Sequence, residues 1–160
     1  MSRYFPIFIN LAGKNVWVYG AGQIALRRIA GLLRFGASVT VIAPQFREEI
    51  CVLREQRPHQ ITVLRRVYQW SEIPDGKVDF VLAATNDREV NARICRECKE
   101  KGIPVNNASD SSQCDFYFPA LVEQGQLVIG VTSADGDHGK VARFCEKLRR
   151  RMQEDDIWES

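Results

Sequence analysis

A glycine-rich turn between an apolar segment and an amphipathic segment constrains this chain more than any other feature. Residues 16–19 read Val-Trp-Val-Tyr, residues 20–22 read Gly-Ala-Gly, and the apolar residues that follow recur at helical spacing. Gly20 allows a tight bend, and Gly22 lets backbone N–H groups approach an anion that the helix dipole attracts. The pattern predicts a strand, a pyrophosphate-binding turn and a helix, although a tight turn without a ligand also fits these residues.

The apolar segments along the chain alternate with helical patterns. We predict five strands, at residues 16–19, 38–42, 61–64, 80–84 and 103–105. Such alternation is typical of a parallel sheet covered by helices on both faces, so the predicted fold class is α/β, a doubly wound Rossmann-like parallel sheet. Thr85 and Asn86 follow the fourth strand and therefore lie at the carboxyl edge of the sheet, where ligands bind in such folds.

Local signals mark the ends of two predicted helices. Gly36 follows the first predicted helix. A glycine at this position can adopt the left-handed backbone conformation that commonly ends a helix. Asn86 and Glu89 match a capping box at the start of a helix over residues 88–101. The buried stripe of that helix is predicted to consist of Val90, Ile94 and Cys98.

The pattern changes after residue 106. Residues 114–122 and 127–132 are predicted strands of an antiparallel hairpin, and a helix with one apolar face follows: Val141, Phe144, Leu148 and Met152. We therefore divide the chain into a dinucleotide-binding domain at residues 1–112, a hairpin and helix at 113–153, and a loose tail at 154–160.

Composition and the first residues exclude several function classes. Of the 160 residues, 45% are hydrophobic and 26% charged, and the formal net charge of +2 gives no reason to expect a nucleic-acid partner. The N-terminal residues show neither a signal peptide nor an apolar stretch of membrane-spanning length. We therefore expect a cytoplasmic protein that has no membrane partner.

The cysteines agree with this compartment. Five cysteines, an odd number, favour free thiols in a reducing environment. Cys95 and Cys98 form a C-x-x-C pair, but the pair lies inside a predicted helix, and no second pair completes a four-cysteine zinc site. We predict no metal site and no redox role for this pair.

Longer stretches of the chain resemble a known family. They are YFPIFINLAGKNVWVYGAGQIALRRIAGLLRFGASVTVIAP at residues 4–44, AATNDREVN at 83–91, GIPVNNASDSSQCDFYFPALV at 102–122, LVIGVTS at 127–133 and KVARFCEKL at 140–148. Together they resemble the dehydrogenase domain of sirohaem synthases, the family of precorrin-2 dehydrogenases. The resemblance implies NAD-dependent oxidation of the tetrapyrrole precorrin-2 to sirohydrochlorin, in sirohaem or cobalamin biosynthesis. It also implies a homodimer formed through the hairpin and the last helix, and in some members insertion of iron.

The resemblance assigns a cofactor site. The cofactor contacts carried over from the family are Gln23, Ile24, Ala43 and Pro44. We expect Gly20 and Gly22 of the glycine turn to hold the pyrophosphate, and Thr85 and Asn106 to border the nicotinamide. An ordinary NAD site has Asp or Glu at the end of the second strand, but this chain has Ala43 and Pro44 there. The residue types alone do not distinguish NAD from NADP as the cofactor, and the resemblance implies NAD.

The residue at the position of the expected proton acceptor differs from the one in the family pattern. Members have an aspartate where this chain has Ser109, and Asp110 comes next. Because a serine is a poor general base unless it is activated, Asp110 is the leading predicted proton acceptor. An equal alternative is that Asp110 is a turn residue bonded to its own loop. His138, in the loop before the last helix, is a further candidate for proton transfer, although an idle surface histidine also fits.

Two further departures keep other functions open. The family has a small-residue turn, T-S-G-G-x-S-P, where this chain has the longer loop 132–139, and full-size members continue into a further helical segment. With Ser109, these differences favour a non-catalytic module that binds a tetrapyrrole or a nucleotide. A regulatory nucleotide-binding domain is a weaker alternative, because such domains usually keep the acid after the second strand. The basic residues predicted to meet substrate carboxylates are Arg27, Arg28, Lys140 and Arg143.

Overall fold

The computed structural model describes residues 5–154, which form two compact units. The sheet unit, residues 9–117, contains a five-stranded sheet in the order β3-β2-β1-β4-β5. Its elements are β1 (Asn15–Tyr19), α1 (Gln23–Arg34), β2 (Ser38–Ala43), α2 (Glu48–Gln56), β3 (Ile61–Arg65), β4 (Phe80–Ala83), α3 (Arg88–Glu100), β5 (Val105–Asn107) and a short 3-10 helix at Ser111–Gln113.

All neighbouring strands of the sheet unit are parallel, so the predicted doubly wound class is confirmed. β1 lies between β2 and β4, and the chain runs outward from it through β2 and β3 on one side and through β4 and β5 on the other. The carboxyl ends of β1 and β4 therefore mark the point at which the strand order reverses. Folds of this class bind their ligands at that point.

The core of the sheet unit lies between the sheet and its helices. Val18 and Leu82 on neighbouring strands are fully buried, as are Ile29 on α1 and Ile94 on α3. Complete burial of one such side chain contributes roughly 2–3 kcal/mol to the free energy of folding. Gly36 follows α1 with a φ of 84°, which confirms the predicted left-handed end of that helix.

β5 begins two residues later than predicted. Ile103 still belongs to the turn after α3, where its N–H donates to the carbonyl of Cys98 at 2.8 Å. The strand therefore starts at Val105, whose N–H is accepted by the carboxylate of Asp115 at 2.9 Å.

The start of α3 also differs from the prediction. Asp87, rather than Asn86, is the N-cap, and its carboxylate accepts the N–H groups of Glu89 and Val90 at 2.8 and 3.2 Å. Asn86 is exposed. The predicted capping box is therefore wrong by one residue, because an aspartate at the next position offers the helix a stronger acceptor.

The hairpin unit, residues 5–8 and 118–154, contains β6 (Ala120–Gln124), β7 (Leu127–Val131) and α4 (His138–Glu154). The two strands pair antiparallel, as predicted. The prediction that the first strand starts at residue 114 is wrong. Within the sheet unit, the N–H of Asp115 donates to the carbonyl of Val105 at 2.9 Å, so this segment returns to β5 instead of extending the hairpin.

The buried face of α4 is shifted by one residue from the predicted one. Phe144 is 54% exposed, whereas Cys145 is buried. The residues that pack on the hairpin are Val141, Cys145, Leu148 and Met152. Their spacing of four, three and four residues keeps them on one face of the helix, and Phe144 lies beside that face.

The division into units lies between residues 117 and 118, while the sequence pattern places a domain boundary between 112 and 113. The described part of α4 runs to Glu154. Residues 155–160 of the predicted tail lie outside the described residues. Within residues 5–154, no helix combines the length and the apolar character needed to cross a membrane.

Candidate functional site

Close backbone contacts hold the turn after β1. The N–H of Gly20 donates to the carbonyl of Ile42 at 2.9 Å, and the N–H of Ala84 donates to the carbonyl of Tyr19 at 2.7 Å. Gly20 has a φ of 105°, and a Cβ at this position would lie 2.1 Å from the carbonyl oxygen of Ala84. Both the backbone conformation and the close approach of the neighbouring strand therefore require glycine.

The start of α1 is open on the other side of the turn. Gly22 is the N-cap, no side chain caps the helix, and a Cβ on Gly22 would meet no atom within 4 Å. Gln23 and Ile24 are exposed, whereas Ala25 is fully buried where the motif requires a small residue against the sheet. The first N–H groups of a helix have no partner within the helix. This arrangement fits a diphosphate, which needs donors, a positive dipole end and space.

The end of β2 lies beside this turn, because Ile42 pairs with Tyr19 of β1. Ala43 is buried and Pro44 is exposed at this end. Neither residue offers a carboxylate to ribose hydroxyl groups. The predicted adenosine contacts are therefore apolar side chains and backbone groups.

A buried amide fixes the loop after β4. Asn91, on α3, is fully buried, and its Oδ1 accepts the N–H and the hydroxyl of Thr85 at 3.0 and 2.7 Å. Its Nδ2 donates to the carbonyl of Thr85 at 3.1 Å. The side chain of Thr85 thus has partners within the protein. Sequence reasoning missed Asn91, although a polar residue one helical turn before the buried Ile94 is a signal for such a role.

The same amide reaches the loop after β5. The Nδ2 of Asn91 donates to the hydroxyl of Ser109 at 3.1 Å, and that hydroxyl donates to the Oδ1 of Asn107 at 2.7 Å. The only proton of the Ser109 hydroxyl is used in this bond. Ser109 therefore joins two loops at the carboxyl edge of the sheet.

Asp110 caps the short 3-10 helix that follows. Its Oδ1 accepts the hydroxyl and the N–H of Ser112 at 2.7 and 2.9 Å, and its Oδ2 accepts the Nε2 of Gln113 at 3.1 Å. These bonds, the one from the Ser112 hydroxyl above all, lower the pKa of Asp110 below its ordinary value. The carboxylate is ionised at neutral pH, and its lowered pKa makes it a weaker base.

Asn106 is almost completely buried, with 1% of its surface exposed. Its Nδ2 donates to the carbonyl of Phe116 at 2.7 Å, and its Oδ1 accepts the guanidinium of Arg28. The side chain therefore joins α1 to the segment after β5. Arg28, predicted to meet substrate carboxylates, forms this internal contact.

His138 belongs to the hairpin unit, where it is the first residue of α4 and is exposed. The carboxylate of Asp137 accepts the N–H of Lys140 at 2.9 Å and so caps the helix. Next to it, the loop after β7 and the start of α4 line an open cleft of about 410 Å³. Val131, Val141 and Phe144 give it apolar walls, and His138 is not among its lining residues.

The C-x-x-C pair lies inside α3 with both thiols buried. Burial raises the pKa of Cys95 to about 11 and that of Cys98 to about 12. Thiols of this kind stay protonated at neutral pH and are poor nucleophiles and metal ligands. Across residues 5–154, no three His, Cys, Asp or Glu side chains are grouped so that they could hold a metal ion.

The carboxyl edge of the sheet unit brings together most of the predicted site residues: Gly20, Gly22, Ala43, Thr85, Asn106, Ser109 and Asp110. His138 lies in the other unit. The parallel sheet, the glycine turn at its reversal point and the uncapped start of α1 define a dinucleotide-binding α/β protein.

Comparisons with known proteins extend this assignment. The family described as "Putative NAD(P)-binding" matches residues 7–120. "Probable multifunctional siroheme biosynthesis protein HemA" of Ruminiclostridium josui is 40% identical over 153 residues, which is 95% of this chain and 29% of that protein. "Siroheme synthase" of Azotobacter vinelandii is 38% identical over 150 residues, 94% of this chain and 31% of that protein.

A solved structure agrees with these relatives. "SirC, precorrin-2 dehydrogenase" superposes with a TM-score of 0.77 at 30% identity, covering 92% of this chain and 71% of that one. The chain therefore belongs to the NAD(P)-binding family of sirohaem synthases and precorrin-2 dehydrogenases, which confirms the resemblance seen in the sequence. It spans about 30% of the length of the curated relatives described above.

Proposed function

We propose that this chain is an NAD-dependent precorrin-2 dehydrogenase that forms sirohydrochlorin in sirohaem or cobalamin biosynthesis. The observation that carries the proposal is the glycine turn, closed against Ala84 at Gly20 and open at Gly22, in a chain that matches a precorrin-2 dehydrogenase over 92% of its length. The oxidation removes one hydride and one proton from the substrate. The protein therefore has to bind a hydride acceptor and to accept a proton.

The cofactor site is the carboxyl edge of the sheet unit. NAD, when bound, supplies the hydride acceptor. The N–H groups at the start of α1 bind its diphosphate, and the end of β2 borders its adenosine. Thr85 and Asn106 would border the nicotinamide, and their internal hydrogen bonds fix the loop after β4 and the segment after β5. The residues proposed to form the cofactor site are Gly20, Gly22, Gln23, Ile24, Ala43, Pro44, Thr85 and Asn106, of which the buried Asn106 acts through the segment that it fixes.

Asp110 is the proposed proton acceptor. It follows β5 at the same edge of the sheet, and its partners Ser112 and Gln113 orient its carboxylate. The carboxylate is in its basic form throughout the neutral range, as any aspartate with an ordinary or lowered pKa is, and its lowered pKa makes it a weaker base. His138 is the second candidate, and Ser109 is proposed to position the loop that carries Asp110.

The experiment that tests this function is the formation of NADH, followed by its absorbance, from precorrin-2 and NAD. Asp110→Ala is expected to abolish turnover and to leave NAD binding unchanged in calorimetry. Because this variant also removes the cap of the 3-10 helix, Ser112→Ala, which weakens the same cap but keeps the carboxylate, is the matched control. An equal loss in both variants indicates that Asp110 only positions the loop. Unchanged turnover removes Asp110 from the mechanism, and His138→Ala then tests the remaining candidate.

A non-catalytic module that binds a tetrapyrrole or a nucleotide is the second candidate function. The observation that favours it is that the side chains of Ser109 and Asp110 are both engaged in hydrogen bonds within the protein. Binding of sirohydrochlorin and NAD without NADH formation from precorrin-2 would support this candidate over the enzyme. Metal insertion is a separate hypothesis, tested by incubation of the protein with sirohydrochlorin and ferrous iron.

We further propose that the protein is a cytoplasmic homodimer formed through the hairpin unit. Leu127, Val128 and Phe144 expose 40, 38 and 54% of their surface, and apolar residues grouped on one small unit favour a protein partner. Sedimentation analysis tests the dimer, and a monomer at all concentrations would contradict it.

Arg27, Lys140 and Arg143 are proposed to meet carboxylates of the substrate.

A further inference from the structure

The adenosine end of the proposed site contains a cation in place of the usual acid. Residues 43–46 read Ala-Pro-Gln-Phe, so no carboxylate lies at the end of β2. In the parallel pairing of β2 and β3, Ala43 lies opposite Arg65, the last residue of β3. Neighbouring strands are about 4.8 Å apart, so Arg65 emerges directly beside the position that the acid occupies in an ordinary NAD site.

An aromatic contact holds the guanidinium of Arg65 at this position. Its Cζ lies 5.6 Å from the centre of the Phe46 ring, and Phe46 is in the loop between β2 and α2. Stacking of this kind restricts a long side chain and leaves the edge of the guanidinium free to donate. Arg65 is therefore directed toward the loop that follows β2.

The neighbouring cations are already paired with carboxylates. Arg47 forms an ion pair with Glu49 at 3.0 Å, and Arg66 forms one with Glu72. Among residues 5–154, no carboxylate pairs with Arg65. Arg65 thus carries a positive charge at the end of β3 that is available to an anionic ligand.

We infer that this chain accepts a dinucleotide phosphorylated on the adenosine 2′-oxygen as well as NAD, and that Arg65 is the residue that contacts the 2′-phosphate. A guanidinium matches a phosphate in geometry and charge. An acid at the end of β2 would repel the phosphate, and none is present there. The first turn of α2 carries two acids, Glu48 and Glu49, of which Glu49 is paired with Arg47. The inference rests on the proposed function, because it requires that a dinucleotide binds at the turn of Gly20.

Calorimetric titration with NAD and with NADP tests the inference without turnover. We expect the unchanged chain to bind NADP at least as tightly as NAD. Arg65→Ala should weaken NADP binding by about tenfold and NAD binding by less than about twofold. Arg65→Lys keeps the charge but loses the planar guanidinium group. Its affinity for NADP should therefore lie between those of the unchanged chain and of Arg65→Ala. Arg96→Ala is the matched control, since Arg96 is an exposed arginine on α3 and the change in net charge is the same.

Two fragments of the cofactor, with and without the 2′-phosphate, measure the contribution of that phosphate to binding. Adenosine 2′,5′-bisphosphate should bind more tightly than adenosine 5′-monophosphate, and Arg65→Ala should remove the difference. If NAD binds and NADP does not, or if Arg65→Ala weakens both equally, the inference is wrong and the proposed function stands. If neither dinucleotide binds to folded protein, the proposed function itself fails.

Discussion

The Cβ position of Gly20 lies 2.1 Å from the carbonyl oxygen of Ala84, closer than any real side chain can approach. Gly20→Ala therefore has to separate β1 from β4 or to change a backbone with a φ of 105°. We expect a loss of roughly 3–5 kcal/mol in the free energy of unfolding, enough to unfold a marginally stable domain. Urea denaturation measures it, and a variant as stable as the parent would contradict the geometry.

Gly22→Ala separates binding from stability at the same turn. A Cβ on Gly22 meets no atom within 4 Å, and the residue has an ordinary extended backbone. We expect a loss of stability of about 1 kcal/mol or less, since alanine is a poorer N-cap than glycine. NAD binding, in contrast, should weaken at least about tenfold, because the methyl group occupies the space beside the diphosphate. Calorimetry checks this prediction, and unchanged affinity would place the diphosphate elsewhere.

Glu97 is a buried carboxylate on which the loop after β3 depends. It is 1% exposed and accepts the hydroxyl of Tyr68 at 2.6 Å and the N–H groups of Ser71 and Ile73 at 3.1 and 2.9 Å. Ser71 has a φ of 63°, a strained conformation for a residue with a side chain. In Glu97→Gln the side-chain NH₂ group would face one of these hydrogen-bond donors and leave it without an acceptor. We therefore expect a loss of about 1–3 kcal/mol in the free energy of unfolding.

The matched control is Glu100→Gln on the same helix. Glu100 is exposed, and its replacement should change the free energy of unfolding by less than about 0.5 kcal/mol. Denaturation of both variants in parallel provides the measurement. If both variants lose the same amount, the contacts of Glu97 do not stabilise the loop.

The ion pair between Asp79 and Lys14 predicts a dependence of stability on pH. The carboxylate accepts the Nζ of Lys14 and the N–H of Asn15, both at 2.8 Å, and the bond from Lys14 above all lowers the pKa of Asp79 below its ordinary value. Since the folded pKa is the lower one, the stabilisation is complete above the unfolded value and is lost as the pH falls through the folded value.

Asp79→Asn should therefore be less stable than the parent at neutral pH, by at most about 1 kcal/mol because the pair is partly exposed. The difference should shrink as the pH falls below the unfolded pKa and should vanish below the lower folded pKa, where the parent carboxyl is protonated in both states. Denaturation midpoints of both proteins across this range are the measurement. A difference that persists unchanged in acid would show that charge is not its source.

Much of the fold was predictable because it depends on short stretches of sequence. The turn at Gly20 and the helix end at Gly36 each follow from residue types within a few positions. Two errors, in the N-cap of α3 and in the buried face of α4, have a common cause: adjacent residues compete for the same structural position. Asp87 caps α3 in place of Asn86, and Cys145 packs in place of Phe144, because adjacent residues both satisfy the local pattern.

The candidate site was predictable only in part. The residues that follow strands were placed correctly at the carboxyl edge of the sheet, yet their partners were not foreseen. Asn91 joins Thr85 to Ser109, and Asp110 bonds to its own loop, through contacts that depend on side-chain direction. Periodicity gives the face on which a residue lies but not the atom that it meets.

The sequence by itself determined the class of sheet, the glycine turn and the family, because steric requirements and hydrophobic spacing are properties of residue type. Only the tertiary structure decided that Ala84 closes on Gly20 and that Arg65 stands beside Ala43. These contacts join segments that are distant along the chain. They depend on the order and register of parallel strands, which the packing of the whole sheet selects and no single stretch of sequence contains.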